Sequence, residues 1–301
     1  MKRLRKIHIL LLFSIILLSR DSVLAQIGAF NRAQKLYSEK NAEAAKPIID
    51  SAVLNSETGK MFEVHTLKAY IYFEIYKKTD KEKLNSTTRD SVISAIMVSN
   101  SLKPDSAYKT NNTKLINAII AHYRNMSIKA LNESSLNYTL SISAHDKFKE
   151  LSKNNVPNFN GTYADIEFYN TVGGIYSELS NKSSKFEKER EIAKTALLKV
   201  LDLDPKNESA TFNLGILYYN LSGNIVKEMA DDLNIGNIDA VQDNSKKLAK
   251  QAEQLLLKVA NSTKYKKTVT EALYYTYRNL LDAAKLEEYR KKCVEQNIKL
   301  D

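Results

Sequence analysis

The sequence predicts an all-α fold, an α-solenoid of about six antiparallel helix hairpins. Three observations predict it. Apolar residues recur at helical spacing almost everywhere, as in Ala45, Ile49 and Ala52 at i, i+4 and i+7. Strand-like alternation never lasts beyond four or five residues. Only eight glycines and four prolines punctuate 301 residues, too few for the turns of an all-β chain.

The first element is a targeting segment. Lys2, Arg3, Arg5 and Lys6 form a basic start, and Ile7 to Leu18 is apolar apart from His8 and Ser14. Val23-Leu24-Ala25 then places compact residues before Gln26. That order predicts a signal peptide over 1–25, cleaved after Ala25, because the apolar run is short for a transmembrane span. An uncleaved anchor is the rival. A lipoprotein is disfavoured, since no cysteine follows the run. The expectation is a periplasmic or secreted chain, with no membrane insertion after signal removal and one repeat domain over 26–301.

Composition narrows the rest. The full chain carries 45 basic and 35 acidic residues, +10; losing 1–25 removes five basic residues and Asp21, leaving +6. The remaining charges are interspersed, the pattern of solvated helix faces, and nucleic-acid binding is not expected. Cys293 is the single cysteine, so an exported chain must rely on its core without an internal disulfide.

Six hairpins follow in order. Ala29, Ala33, Leu36 and Tyr37 stripe one helix, and Ala45, Ile48, Ile49 and Ala52 its partner. Residues 62–76 repeat the pattern with aromatics, and 91–104 closes on Pro104. Stretches 113–131 and 138–151 make the third pair, closed by Val156-Pro157. Residues 164–179 with 188–205, 204–221 with 245–261, and 268–281 with 283–296 complete the series.

Gly215, inside the helix DPKNESATFNLGILYYNL, costs about 1 kcal/mol against Ala at a helix interior. Leu214, Gly215 and Tyr218 resemble the first helix of the tetratricopeptide repeat, in which a small residue lets the second helix cross closely. Ala193, Leu197, Val200 and Pro205 resemble the second helix of the preceding repeat. Tyr169, Val172, Gly173 and Tyr176 match the first-helix pattern too; Ala69 with Tyr72 matches in part, Ala33 with Leu36 weakly. The chain thus looks like a degenerate tetratricopeptide-repeat protein, similar to exported repeat proteins of Bacteroidetes. The family repeat has 34 residues, whereas Gly173 and Gly215 stand 42 apart. Residues 177–190 and 222–244 hold the extra length, the second as two helices prolonged to a turn near 234–239 and a rival partner contact.

No catalytic constellation is found. His65, His122 and His145 are scattered, and His65 and His122 read as packing residues. Cys293 reads as a buried structural thiol. No P-loop, Gly-x-Ser-x-Gly, zinc or EF-hand spacing occurs, so neither an enzyme nor a metal or other cofactor is expected. Asp231-Asp232 and Glu287-Glu288 read as solvated faces. The tyrosines are a skewed choice, seventeen against no tryptophan. By the family resemblance, first helices line a concave groove for a peptide or protein segment. Its candidate residues are Glu63, Tyr70, Phe73, Glu167, Asn170, Phe212, Ile216, Tyr219 and Asn220, with Thr66 and Glu74 beside them. Three Asp-Ser-aliphatic triplets, at Ser51, Ser91 and Ser106, resemble an O-glycosylation motif of exported Bacteroidetes proteins. The expected function is a non-enzymatic interaction scaffold with an unidentified protein partner; the alternative is a glycan-binding protein of the cell envelope.

Overall fold

The computed structural model describes residues 28–132, 137–181, 186–231 and 238–300. The signal peptide and most of the 234–239 turn lie outside these residues. The described chain contains twelve α-helices: α1 (28–38), α2 (Ala42–Leu54), α3 (Phe62–Thr79), α4 (Thr87–Ser101), α5 (Ser106–Asn132), α6 (Tyr138–Asn155), α7 (Gly161–Ser180), α8 (Glu187–Leu203), α9 (Glu208–Asp231), α10 (Ile238–Lys258), α11 (Lys266–Leu280) and α12 (Ala283–Glu295). A single 3-10 turn, Thr58–Lys60, precedes α3, and no strand occurs among the described residues. Helices α1–α6 belong to one compact unit and α7–α12 to a second.

Short polar side chains start the helices. Asn41, Ser86, Asn137, Asn160 and Asp282 each accept a hydrogen bond from the backbone N–H three residues on. This satisfies one of the amides every helix start leaves unpaired. Asp105 does the same for Ala107 and Tyr108, at 2.9 and 3.0 Å. That cap explains why α5 begins at Ser106, seven residues before the sequence pattern suggested. Tyr108 then packs edge-on against Phe62, 5.2 Å between centroids.

Consecutive helices pair as the six expected hairpins. In the first unit α3 packs on α2 and α4, and on α5 of the next hairpin. In the second, α9 packs on α7 and α11, first helix against first helix. Within each unit, successive hairpins therefore close their apolar stripes against one another, the stacking logic of helical repeats. The first unit buries Ile49, Val64, Ile71, Ile96 and Ile119 almost completely. The second buries Leu256, Leu273 and Tyr277. Each such side chain contributes roughly 1.5–3 kcal/mol on burial.

Both repeat glycines sit where the family resemblance places them. A Cβ on Gly173 would lie 2.5 Å from Leu197 of α8, and one on Gly215 2.9 Å from Leu256 of α10. Helix approach inside each hairpin is set by these missing methyl groups. A buried amide ties the first unit together. Asn112, fully buried, donates to Ser99 Oγ and Asn100 Oδ1 and accepts from Thr66 Oγ1, joining α3, α4 and α5. Beyond the family length, α9 and α10 run on together, fastened where the Ser222 and Ser245 hydroxyls lie 3.0 Å apart.

Candidate partner-binding surface

The candidate residues fall on both units. Glu63, Tyr70 and Phe73 lie on α3, each half-buried. The Tyr70 ring meets Tyr37 of α1 at 6.0 Å, and Phe73 stacks on His122 of α5 at 6.2 Å with 13° between the planes. Lys77 covers the outer side of Phe73 at 5.2 Å. Helical spacing puts Tyr70 and Phe73 on one face, and α1 and α5 hold their rings at either side. Thr66, named beside them, is instead buried in the Asn112 amide network.

In the second unit Glu167 and Asn170 come from α7, and Phe212, Ile216, Tyr219 and Asn220 from α9. Phe212 stacks on Tyr265 at the start of α11, 4.1 Å between centroids and 11° between planes. Ile216 and Tyr219 continue that line and pack half-buried against the α10–α12 core. Burial pushes the Tyr219 hydroxyl pKa up, with Tyr275 and Glu271 adding to it. Exposed Glu167 accepts from Tyr163 at 3.0 Å. Asn170 donates to Asn207, the α9 cap, at 3.4 Å, while its buried Oδ1 has no partner among the described residues. Within this unit the structure brings Phe212, Ile216 and Tyr219 into one line along the α9–α11 seam.

Adjacent tyrosines diverge as helix geometry requires. Tyr218 lines a hollow beside α9, walled by Arg190, Lys194, Asn244 and Lys247. Its apolar floor is Leu217, Leu221 and Leu248. The family resemblance places Tyr218 among packing residues and gives no sign of this hollow, because its walls come from helices about fifty residues apart.

The remaining motifs settle into structure. His65 is buried, with Nε2 2.8 Å from the Gly59 carbonyl oxygen. Cys293 is fully buried, and burial pushes its thiol pKa up, the state of an unreactive structural sulfur. No group of three metal-ligating side chains occurs among the described residues. No helix among them is long and apolar enough to cross a membrane. Ser51 and Ser106 of the Asp-Ser triplets are exposed; Ser91 is half-buried and donates to the Thr87 carbonyl at 2.8 Å.

No protein-family model and no curated protein matches this chain. Among solved structures it is similar to PilW, described as a widely conserved type IV pilus biogenesis factor. Identity is 13%, covering 89% of this chain and 92% of that one, with a TM-score of 0.31. It is also similar to Nro1, described as a nuclear import adaptor and hypoxic regulator of sterol synthesis. That match has 14% identity over 94% and 91% of the two chains, at a TM-score of 0.37. A second structure of Nro1, from S. pombe, matches at 13% identity over 94% and 96%, at 0.34. Scores of this size attach no partner or pathway to the chain.

Proposed function

We propose that the mature chain is an exported, non-enzymatic scaffold that holds a protein or peptide segment against its first-helix faces. The observation that carries the reading is the line Phe212, Ile216, Tyr219 on α9. These side chains are half-exposed yet fixed, Phe212 by its stack on Tyr265 and the other two by the core beneath. A preformed aromatic surface offers contact area without the ordering cost a mobile one carries. Asn220 lies one residue beyond Tyr219 and adds a half-exposed amide. Apolar anchors with a few amide groups suit an extended segment. Export rests on the order of basic start, apolar run and Val23-Leu24-Ala25.

The test is site-specific photo-cross-linking in the source cells. A photoreactive residue at Tyr219 is compared with one at Leu198, exposed on α8. One defined protein captured through 219 and absent through 198 supports the scaffold. Glycan recovered through 219 instead, or the same proteins through both positions, overturns it.

A further inference from the structure

Beside the end of α3 lies a hollow of about 390 Å³ lined by Lys81, Glu82, His122, Asn125, Met126 and Lys129. Two ammonium groups, an imidazole and a primary amide face one carboxylate there. Glu82 reaches Lys129 at 3.2 Å, with both side chains more than half exposed. Lys81 has no ion-pair partner among the described residues.

Behind the hollow sits Arg89, 1% exposed. Its partners are uncharged: the Lys83 and Leu84 carbonyl oxygens, the Tyr76 hydroxyl at 3.5 Å, and the Tyr123 ring face at 4.2 Å. A guanidinium has only protons to give, so the Tyr76 oxygen accepts from it. The Tyr76 proton then has one acceptor among the described residues, His122 Nδ1 at 3.1 Å. Donation to Nδ1 leaves the neutral imidazole proton on Nε2, which has no protein partner among the described residues. The buried charge thus favours the Nε2–H tautomer through one tyrosine, which gives the hollow an N–H donor. The Phe73 stack fixes the ring that carries it.

We infer that this hollow binds a small oxyanion, a phosphoryl or carboxylate group held by Lys81, Lys129, Asn125 and His122 Nε2–H. The charged and titratable groups around His122 are Lys77, Lys81, Glu82, Arg89 and Tyr76, with Lys129 lining the same hollow. In the empty state burial first, then Lys81 and Arg89, hold the His122 pKa below the ordinary imidazole value. A bound anion favours the imidazolium, so affinity rises as pH falls.

The test is a histidine-detected NMR titration of the mature chain with sulfate, phosphate and succinate. Sulfate stays a dianion across the neutral range and isolates the histidine's contribution to pH dependence. Saturable shifts at His122 are expected, with the free ring in the Nε2–H form. The double variant Lys81→Ala/Lys129→Ala should bind roughly tenfold more weakly. Lys246→Ala/Lys247→Ala, which removes the same charge from the second unit, should not. Saturation by sulfate or phosphate at the lower concentration assigns a phosphoryl group, and by succinate a carboxylate. Equal weakening in both double variants, no saturation with any anion, or an Nδ1–H ring each overturns the site.

Discussion

The guanidinium carbon of Arg89 lies 4.2 Å from the centroid of the Tyr123 ring, and no carboxylate shares the site among the described residues. A buried cation ordinarily needs an anion. Here carbonyl dipoles from 83 and 84 and the negative faces of Tyr123 and Tyr76 take that role. Arg89→Ala strands both carbonyls and the Tyr76 hydroxyl, so urea unfolding should show a loss of about 3–5 kcal/mol. Arg89→Lys should recover part of it, because an ammonium reaches a carbonyl but cannot also stack flat. In Arg89→Met the His122 pKa should rise, since one of the charges depressing it is gone. A loss below about 1 kcal/mol in Arg89→Ala would show that the cation is incidental.

Three glycines separate packing from propensity. In α7, Gly173→Ala drives a methyl into Leu197, itself fully buried, and should cost about 1–3 kcal/mol after the helix gain. Gly215→Ala meets Leu256 at 2.9 Å and the Leu255 Cβ at 3.3 Å, a gentler clash, and should cost less. Gly174 has nothing within 4 Å of its missing Cβ, so Gly174→Ala should stabilise by up to about 1 kcal/mol. Thermal melts of the three variants give the ranking, and the close-packing account fails if Gly173→Ala is as stable as Gly174→Ala.

These glycines also show how much could be read from the chain. Gly215 stood out because a helix interior disfavours it, and Leu256 is the neighbour that explains it. Helix pairing followed from apolar periodicity and from prolines such as Pro104, both local signals. The start of α5 was missed because periodicity ignores caps, and Asp105 moved it to Ser106. Tyr70, Phe73, Phe212 and Tyr219 were legible as first-helix aromatics. The ring partners of the first three, Tyr37, His122 and Tyr265, were not, since each comes from a neighbouring helix whose register only packing fixes. The hollow at His122 was unreadable for the same reason. His122 had only the look of a packing histidine, and the neighbour that orients it, Tyr76, lies 46 residues away.

The acid limit of the second unit should be set in part by Glu253. Its side chain is 4% exposed yet ionised, with Lys285 at 2.6 Å, Lys250 at 2.5 Å and the Tyr277 hydroxyl at 3.1 Å. Burial alone would push the carboxyl pKa up; the hydrogen bonds from Lys250, Lys285 and Tyr277 outweigh it and hold the value below the ordinary one. A carboxyl depressed in the folded state contributes stability that is full above its unfolded pKa of about 4.3. That contribution fades as pH falls through the lower folded value. Glu253→Gln keeps the shape but offers a weaker acceptor to three donors, and should cost about 1–3 kcal/mol at pH 7. Below the folded pKa both proteins carry an uncharged group at 253, so the difference in stability should close. Urea unfolding from pH 7 down to pH 3 measures the gap. A gap that stays constant over that range would mean that Glu253 acts through packing alone, and that its two lysines are ordinary surface charges.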